Sequence, residues 1–401
     1  MMEKQEFEKI IKACRFCLMC RHLCTVGNIT YVETNTPRGQ TLMIDCLGSE
    51  AFEDTEDNRK RAAEVFFTCS YCGHCQNNCV SSYQHPDAIM AARATVSDED
   101  LPAKARDLRT RVKKYGGFFE DPKQFEAKKG GADTSGIANK TGADVLLYFG
   151  SFARNCAQEI CGAAVSVLEK AKADFTILSN EGGNGMEAYL TGMPDLAQSL
   201  LDEEIKRIKA LAPGRVVCLS PGCQRILSGG INGLNADALD IPVVSFTAYI
   251  LELIKNGKLK WNEGASGIDA GTQVVSWHDS DQGGRFLNEY DAPREVLAEI
   301  PGVCFQELFW TKGEAASAGE SGGLYYLDPV LAEEIARKRL AQVEGRGVGI
   351  LVTDSAAAIV QLKSAAKAQH ESAAEKALLE NTEDKGIKIL HIAELLDNYS
   401  Y

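Results

Sequence analysis

The sequence predicts an α+β chain of several domains: a helical, cysteine-bearing N-terminal domain followed by two repeated α/β domains with parallel sheets. Three observations predict it. Nine of the 14 cysteines fall in the first 79 residues of the 401, among helical patterns. From residue 143 onward, strand-like apolar runs alternate with helical stretches, which argues for parallel sheets wrapped by helices. That second part also repeats itself at an offset near 130 residues, so it reads as two copies of one unit.

In chain order, helices are expected over Glu6 to Ala13, Arg38 to Leu47 ended by Gly48, Asp57 to Phe67, and Asp87 to Val96 with Pro86 as the opening residue. Residues 116–142 are rich in Gly, Lys and small polar residues and mark a linker after the first domain, 1–115. Strands are expected in ADVLLYFG, DFTILS, RVVCLS and IPVVSF, with helices over Ile160 to Ala171 and Pro194 to Leu211. The repeat pairs 215–227 with 347–362, 182–208 with 319–340, and VLLYFG with TQVVSWHD, dividing the rest into 143–262 and 263–401.

Composition narrows the function. An excess of 56 Asp and Glu over 43 Lys and Arg gives a net charge of −13, which repels a phosphate backbone and excludes nucleic acid as a partner. No continuous apolar run suits a signal peptide or a spanning helix, and the cysteine spacing reads as metal ligation in a reducing compartment, so a cytoplasmic protein without a direct membrane span is expected.

Cys14, Cys17, Cys20 and Cys24 form C-x2-C-x2-C-x3-C, and Cys69, Cys72, Cys75 and Cys79 repeat that spacing. A four-iron cubane needs one thiolate per iron. Three cysteines at every third residue wrap one face, and the fourth cysteine of each run is carried toward the other cluster. The expected ligand sets are therefore Cys14, Cys17, Cys20 and Cys79 for one [4Fe-4S] cluster, and Cys69, Cys72, Cys75 and Cys24 for the other. Two four-cysteine zinc sites are the competing reading, although zinc usually draws on isolated C-x2-C pairs. Thr25 and Val80 stand where a proline usually follows the fourth cysteine.

Two such runs about 50 residues apart, with TPRG (36–39) opening a helix between them and duplicated α/β units after them, resemble the iron-sulfur subunits of glycolate oxidase and anaerobic glycerol-3-phosphate dehydrogenase. The lactate-utilisation iron-sulfur protein and the heterodisulfide reductase D subunit belong to the same broad group. The resemblance implies an α-helical ferredoxin domain and two CCG-type cysteine-rich domains. It also shows departures: the cysteine positions of the first CCG repeat hold Phe152, Gly183 and Asn184, with Cys223 alone retained. In the second repeat His278 and Asp279 remain, but the cysteine positions hold Asp281, Ser317, Ala318, Ser355 and Ala358. A disulfide-cleaving cluster needs several converging thiolates, which these residues cannot supply.

Other residues carry two readings each. His22 and His74 either donate to cluster sulfurs or are merely solvated, and Arg38 either offsets cluster charge or caps its turn. His278 with Asp279 reads as structure more than acid/base chemistry. Cys218, Cys304 and Cys46 read as packing, while Cys156, Cys161 and Cys223 are unligated thiols or a third metal site. The basic stretch 104–115 is a solvated helix face or a docking site for a partner. EGGNG and GESGG do not match phosphate-loop patterns, and no flavin or nicotinamide fingerprint is present, so FAD or FMN is expected only in a partner protein.

The expected function is an iron-sulfur electron-transfer subunit. It would relay single electrons between a flavoprotein, either a dehydrogenase of hydroxy acids or polyol phosphates or an electron-transfer flavoprotein, and a quinone, ferredoxin or other acceptor. No catalytic residue is expected in this chain. A heterodisulfide or thiol-disulfide reductase with a remodelled cluster is the alternative, and a scaffold with structural clusters a third.

Overall fold

A computed structural model describes residues 11–47, 49, 52–119, 136–261, 273–344, 346–380 and 386–401. The expected helix Glu6 to Ala13 lies mostly outside these residues, as does most of the linker 116–142.

Four longer helices follow in the N-terminal region: α1 Pro37–Leu47, α2 Glu56–Phe67, α3 His85–Thr95 and α4 Ala103–Tyr115. Local chemistry explains their starts and stops. Proline opens α1 and sits in the first turn of α3, where its missing N–H costs nothing. Thr55 caps α2 by accepting from Asn58 N at 3.3 Å, with Glu56 and Asp57 in the first turn favourably placed against the helix dipole. Gly116, with φ +75°, ends α4 in the left-handed conformation, its N–H bonded to Val112 O.

The α/β part holds two four-stranded, wholly parallel sheets. The first contains β1 Val145–Tyr148, β2 Phe175–Ile177, β3 Arg215–Cys218 and β4 Val243–Ser245 in the order β2-β1-β3-β4. Its helices are α5 Ser151–Cys156, α6 Gln158–Lys170, α7 Pro194–Ala210, α8 Pro221–Leu227 and α9 Phe246–Lys255. The second contains β5 Gln273–Trp277, β6 Val303–Phe305, β7 Ile350–Thr353 and β8 Lys388–His391 in the order β6-β5-β7-β8, with α10 Asp291–Glu299, α11 Pro329–Ala341, α12 Ala356–Glu380 and α13 Ile392–Tyr399. The two orders are the same topology, and each of the three sequence pairs falls on equivalent elements: β1 with β5, α7 with α11, β3 with β7. The last strand of each sheet runs straight into a helix through a capping side chain, Ser245 onto Ala248 N and His391 onto Ala393 N.

Alternation along β1 places the first sheet between two cores. Val145 and Leu147 join Val275, Trp277 and Val352 of the second sheet in one apolar cluster, with α6 and α13 between them. Leu146 and Tyr148 face the other way and pack with Val216, Cys218, Ile205 of α7 and Leu108, Ile89 and Phe66 of the N-terminal helices. Cys218 is thus a core residue, 2% exposed. Cys304 and Cys46 depart from expectation, because both are exposed. Cys304 lies on edge strand β6 with its side chain turned to solvent, and Cys46 on the outer side of α1.

Arg93 of α3 is wholly buried, and its partners among the described residues are carbonyls rather than a carboxylate. Its guanidinium donates to Phe66 O (3.0 Å), Cys69 O (2.7 Å), Leu190 O (2.7 Å) and Gly322 O (3.2 Å), and lies over the Phe67 ring. Phe66 lies in the last turn of α2 and Leu190 ends a short helix, Met186–Leu190, so the cation takes carbonyls that no helical N–H satisfies. Arg109 also donates to carbonyls, Arg93 O (2.9 Å), Val96 O (2.9 Å) and Thr191 O (2.9 Å), and in addition pairs with Asp98 Oδ1 at 2.9 Å. Of the two readings of 104–115, the solvated helix face fits α4, where Lys104, Arg106, Lys113 and Lys114 are exposed while Arg109 turns inward. Arg109 is 5% exposed, Arg106 binds three backbone carbonyls, Lys113 pairs with Asp98, and Lys104 and Arg111 lie over the Tyr326 ring. The charges serve the chain itself.

Arg93→Met should strand four carbonyls and cost on the order of 4 kcal/mol, read as a fall in the denaturant midpoint. Arg106→Met, whose guanidinium is exposed, should cost much less. A second measurement concerns His391. Burial holds its imidazole at a pKa of about 4 against the ordinary 6.5, and Nδ1 must stay unprotonated to accept from Ala393 N. Below pH 6.5 the unfolded state takes up a proton that the folded state refuses, so this contribution to stability falls as pH drops to about 4, at about 1.4 kcal/mol per pH unit. His391→Asn, which keeps a capping oxygen, should abolish that component when stability is compared across this range.

Candidate metal centres

The two cysteine runs fold alike. The first thiol of each accepts a backbone N–H from two residues on: Phe16 N to Cys14 Sγ (3.4 Å) and Tyr71 N to Cys69 Sγ (3.4 Å). Phe16 and Tyr71 both adopt the left-handed conformation, φ +50° and +53°, a cost that bulky residues rarely bear. The last thiols also accept N–H bonds, Cys24 from Gly27 N (3.3 Å) and Cys79 from Tyr83 N (3.3 Å). Backbone amides aimed at sulfur are the setting that a thiolate ligand requires.

Across the runs, Cys79 is an electrostatic neighbour of Cys14, while Cys24 neighbours Cys72 and Cys69. Cys14, Cys17, Cys20 and Cys79 line one small cavity, whose wall Cys75 also reaches. Burial pushes the thiol pKa values up, to about 11 at Cys20 and Cys69 and further at Cys24 and Cys75. At Cys79 burial acts in the same direction but is outweighed by hydrogen bonds from Ser81 and the backbone, and the net shift is downward. Most of these thiols must therefore give up a proton on binding metal.

Among the described residues, no three His, Cys, Asp or Glu side chains converge closely enough to hold a single metal ion. Cys14, Cys17, Cys20 and Cys79 border a small space, and a group of several irons needs room of that kind between its thiolates. The donor set, the spacing and the amides directed at sulfur all fit that group.

TPRG is accounted for residue by residue. Thr36 Oγ1 accepts from Gly39 N (3.2 Å), Pro37 opens α1, and a Cβ at Gly39 would stand 2.1 Å from Glu33 O. Arg38 donates to Phe16 O (2.9 Å) and Glu33 Oε1 (2.7 Å), tying the first run to the helix, while its backbone N–H serves Cys20. It holds the loop in place. His22 is exposed. His74 is buried against Glu314 Oε2 at 3.3 Å, which joins the second run to the second α/β unit.

The surroundings of the runs differ. Cys17 is exposed beside Leu18, Met19 and Val80, which are 58%, 48% and 78% exposed. Cys72 and Cys75 are buried. Arg285 donates to Cys72 O at 2.6 Å, Tyr71 stacks on Phe286 with ring centroids 5.5 Å apart, and Arg225 reaches the Tyr71 hydroxyl at 3.1 Å. Cys17 thus stands at the surface, Cys72 and Cys75 lie inside the molecule, and the other five cysteines of the runs are half-buried.

The remaining sequence candidates separate. Cys161 is part of the apolar core and Cys156 is exposed, so these two and Cys223 do not form a third single-metal site among the described residues. His278 accepts from Arg339 Nε at 3.0 Å, and Asp279 forms paired bonds with Arg294 at 2.8 and 2.9 Å. Their role is structural. Sequence reasoning missed Arg93, Arg285 and the pair of buried residues Arg154 and Glu181, joined at 2.9 Å. It also missed a cavity between the α/β units lined by Phe152, Asn184, Cys223 and Ser355, four of the positions at which cysteines were expected from the resemblance.

Comparison with known proteins agrees with this architecture. Residues 145–228 match the model of the CCG cysteine-rich domain. The chain is 30% identical over 208 residues to the D subunit of dihydromethanophenazine:CoB–CoM heterodisulfide reductase from Methanosarcina acetivorans, covering 51% of this chain and 49% of that protein. It is 24% identical over 292 residues to the probable iron-sulfur-binding oxidoreductase FadF of Bacillus subtilis, covering 70% of this chain and 40% of that protein. Against the B subunit of fumarate reductase (CoM/CoB) from Methanothermobacter marburgensis, identity is 21% over 400 residues, 98% of this chain and 73% of that protein. This chain thus spans half or less of the first two relatives. It is related to iron-sulfur subunits of oxidoreductases, and no helix among the described residues is long and apolar enough to cross a membrane.

Exposure predicts a labelling order. In protein loaded with iron, brief alkylation should modify Cys46, Cys156 and Cys304 and spare the eight cysteines of the runs. After iron is removed with a chelator, Cys17 should be the first of the eight to react, as read by peptide mass spectrometry.

Proposed function

We propose that this relative of iron-sulfur oxidoreductase subunits is the electron-transfer subunit of a flavin-dependent complex. The observation that carries the reading is the matched pair of cysteine runs, alike in their N–H···S bonding, with Cys17 at the surface and Cys72 and Cys75 buried. Cys14, Cys17, Cys20 and Cys79 hold one [4Fe-4S] cluster, and Cys69, Cys72, Cys75 and Cys24 hold the other, within a ferredoxin-type domain over 1–115. Such clusters supply one-electron transfer when bound.

The exposed rim of Leu18, Met19 and Val80 around Cys17 gives a flavoprotein partner, carrying FAD or FMN, an apolar place to dock. That partner is a dehydrogenase of hydroxy acids or polyol phosphates or an electron-transfer flavoprotein, and the acceptor is a quinone or ferredoxin. The complex is cytoplasmic, reaching the membrane only through a partner. Catalysis of heterodisulfide reduction by this chain is disfavoured, because Phe152, Asn184, Asp281 and Ser355 stand at positions that would need thiolates.

The ligand sets are tested by spectroscopy of single variants. The intact protein should bind about eight irons per chain. Cys24→Ala should damage the same cluster as Cys69→Ala, and Cys79→Ala the same cluster as Cys14→Ala, as read by electron paramagnetic resonance. If Cys24→Ala instead matches Cys14→Ala, each run holds its own cluster.

A further inference from the structure

Three guanidinium groups close on the loop that carries Cys69 and Cys72, each from a different part of the chain. Arg93 of α3 donates from Nη2 to Cys69 O at 2.7 Å, and Arg285, in the segment after β5, donates from Nε to Cys72 O at 2.6 Å. Arg225 of α8 donates to the Tyr71 hydroxyl at 3.1 Å and lies 3.7 Å from the centre of the Phe286 ring. That ring covers the same loop, for a Cβ on Gly73 would stand 2.8 Å from its tip.

The three charges are balanced unequally. Arg285 pairs with Asp281. Arg93 bonds carbonyls, and Arg225 bonds Gly230 O (2.9 Å), Gln282 Oε1 (2.9 Å) and the Tyr71 hydroxyl. The carboxylates of the neighbourhood are engaged elsewhere: Asp87 accepts from Asn232 at 2.5 Å, and Glu320 from Asp281 N at 3.2 Å and Ala318 N at 3.0 Å. Among the described residues no carboxylate bonds Arg93 or Arg225, although both are buried, 0% and 4% exposed.

A buried cation is costly unless an opposite charge lies near, and carbonyl dipoles make up only part of that charge. The cysteine run itself can supply the rest. Cys69 and Arg93 are electrostatic neighbours, and a cluster held by four thiolates is negative and becomes more so on reduction. Neither guanidinium has to be a ligand. Each acts by its field across the loop, which the low dielectric of the interior leaves strong.

We propose that Arg93 and Arg225 are the counter-charge of the iron-sulfur cluster on the Cys69 run, favouring its reduced form and raising its reduction potential. The inference rests on the electron-transfer reading and gives that reading two residues which set where an electron is held.

The test is a redox titration of the holoprotein followed by electron paramagnetic resonance, with Cys14→Ala and Cys69→Ala assigning the two signals. Arg93→Gln, which removes the charge and keeps amide donors, should shift the reduction equilibrium of the Cys69 cluster about tenfold toward the oxidised form, about 59 mV for one electron, and leave the Cys14 cluster unmoved. Arg93→Lys, which keeps the charge and loses the planar fork, should shift it much less. Arg225→Gln, one ring removed from the loop, should shift it about threefold in the same direction. Arg225 donates to a single backbone carbonyl, so this variant carries the test should Arg93→Gln fail to fold. A role confined to packing gives another pattern, in which the Lys and Gln variants at 93 lose stability alike and the potential stays in place. That pattern, or a potential unchanged or raised in the Gln variants, overturns the proposal. A chain that binds no iron at the Cys69 run brings down the electron-transfer reading and this inference together; a loaded chain whose potential ignores both charges brings down the inference alone.

Discussion

Donation from buried guanidinium groups to backbone carbonyls is the interaction on which the rest of the structure depends. Arg93, Arg109 and Arg285 each reach out of their own segment to carbonyls of another, and together they join the cysteine-bearing helices to both α/β units. A carbonyl accepts well from a planar fork of donors, and the fork can serve several chain segments at once. Burial lowers the Arg93 pKa to about 10, and the sulfur of Cys69 is among the groups that oppose the shift. The cation thus finds its compensation in carbonyl dipoles and sulfur, and it places a buried positive charge beside the second run.

Much of the fold was legible because periodicity and punctuation are local. Pro37, Pro86 and Gly116 mark helix limits in the sequence, and the repeat at an offset near 130 residues appears as two sheets of one topology. The cysteine runs were legible for the same reason, since ligand spacing is a matter of neighbouring residues. What escaped was everything that depends on partners distant in sequence. The stretch 104–115 reads as a charged surface until α4 is packed and Arg109 is found against Thr191 O and Arg93 O. Cys304 reads as core because VCF is apolar, and only the strand order shows that β6 is an edge. Arg93 has no local signal at all, for its four carbonyls come from three separate segments, 66–69, 190 and 322.

The emptied cysteine positions have a physical meaning beyond a lost motif. Thiolates converging at the junction of the two units would have needed iron to offset their mutual repulsion. Phe152, Asn184 and Ser355 need no such ion, and the units are held together instead by an apolar core and by contacts such as that of Lys170 with Asp397 at 2.7 Å. The junction has gained independence from metal without losing its concavity.

The unlike settings of two like loops bear on survival in air. Cys72 and Cys75, buried near Phe286, Arg225 and Gly322, are reached by dioxygen or peroxide only when the α/β units part from the helices, so their lifetime follows the opening of the fold. The run with Cys17 at the surface enjoys no such cover unless another protein sits on it. Damage would therefore begin at Cys17, and any protein seated over it would act as a cap against oxidation.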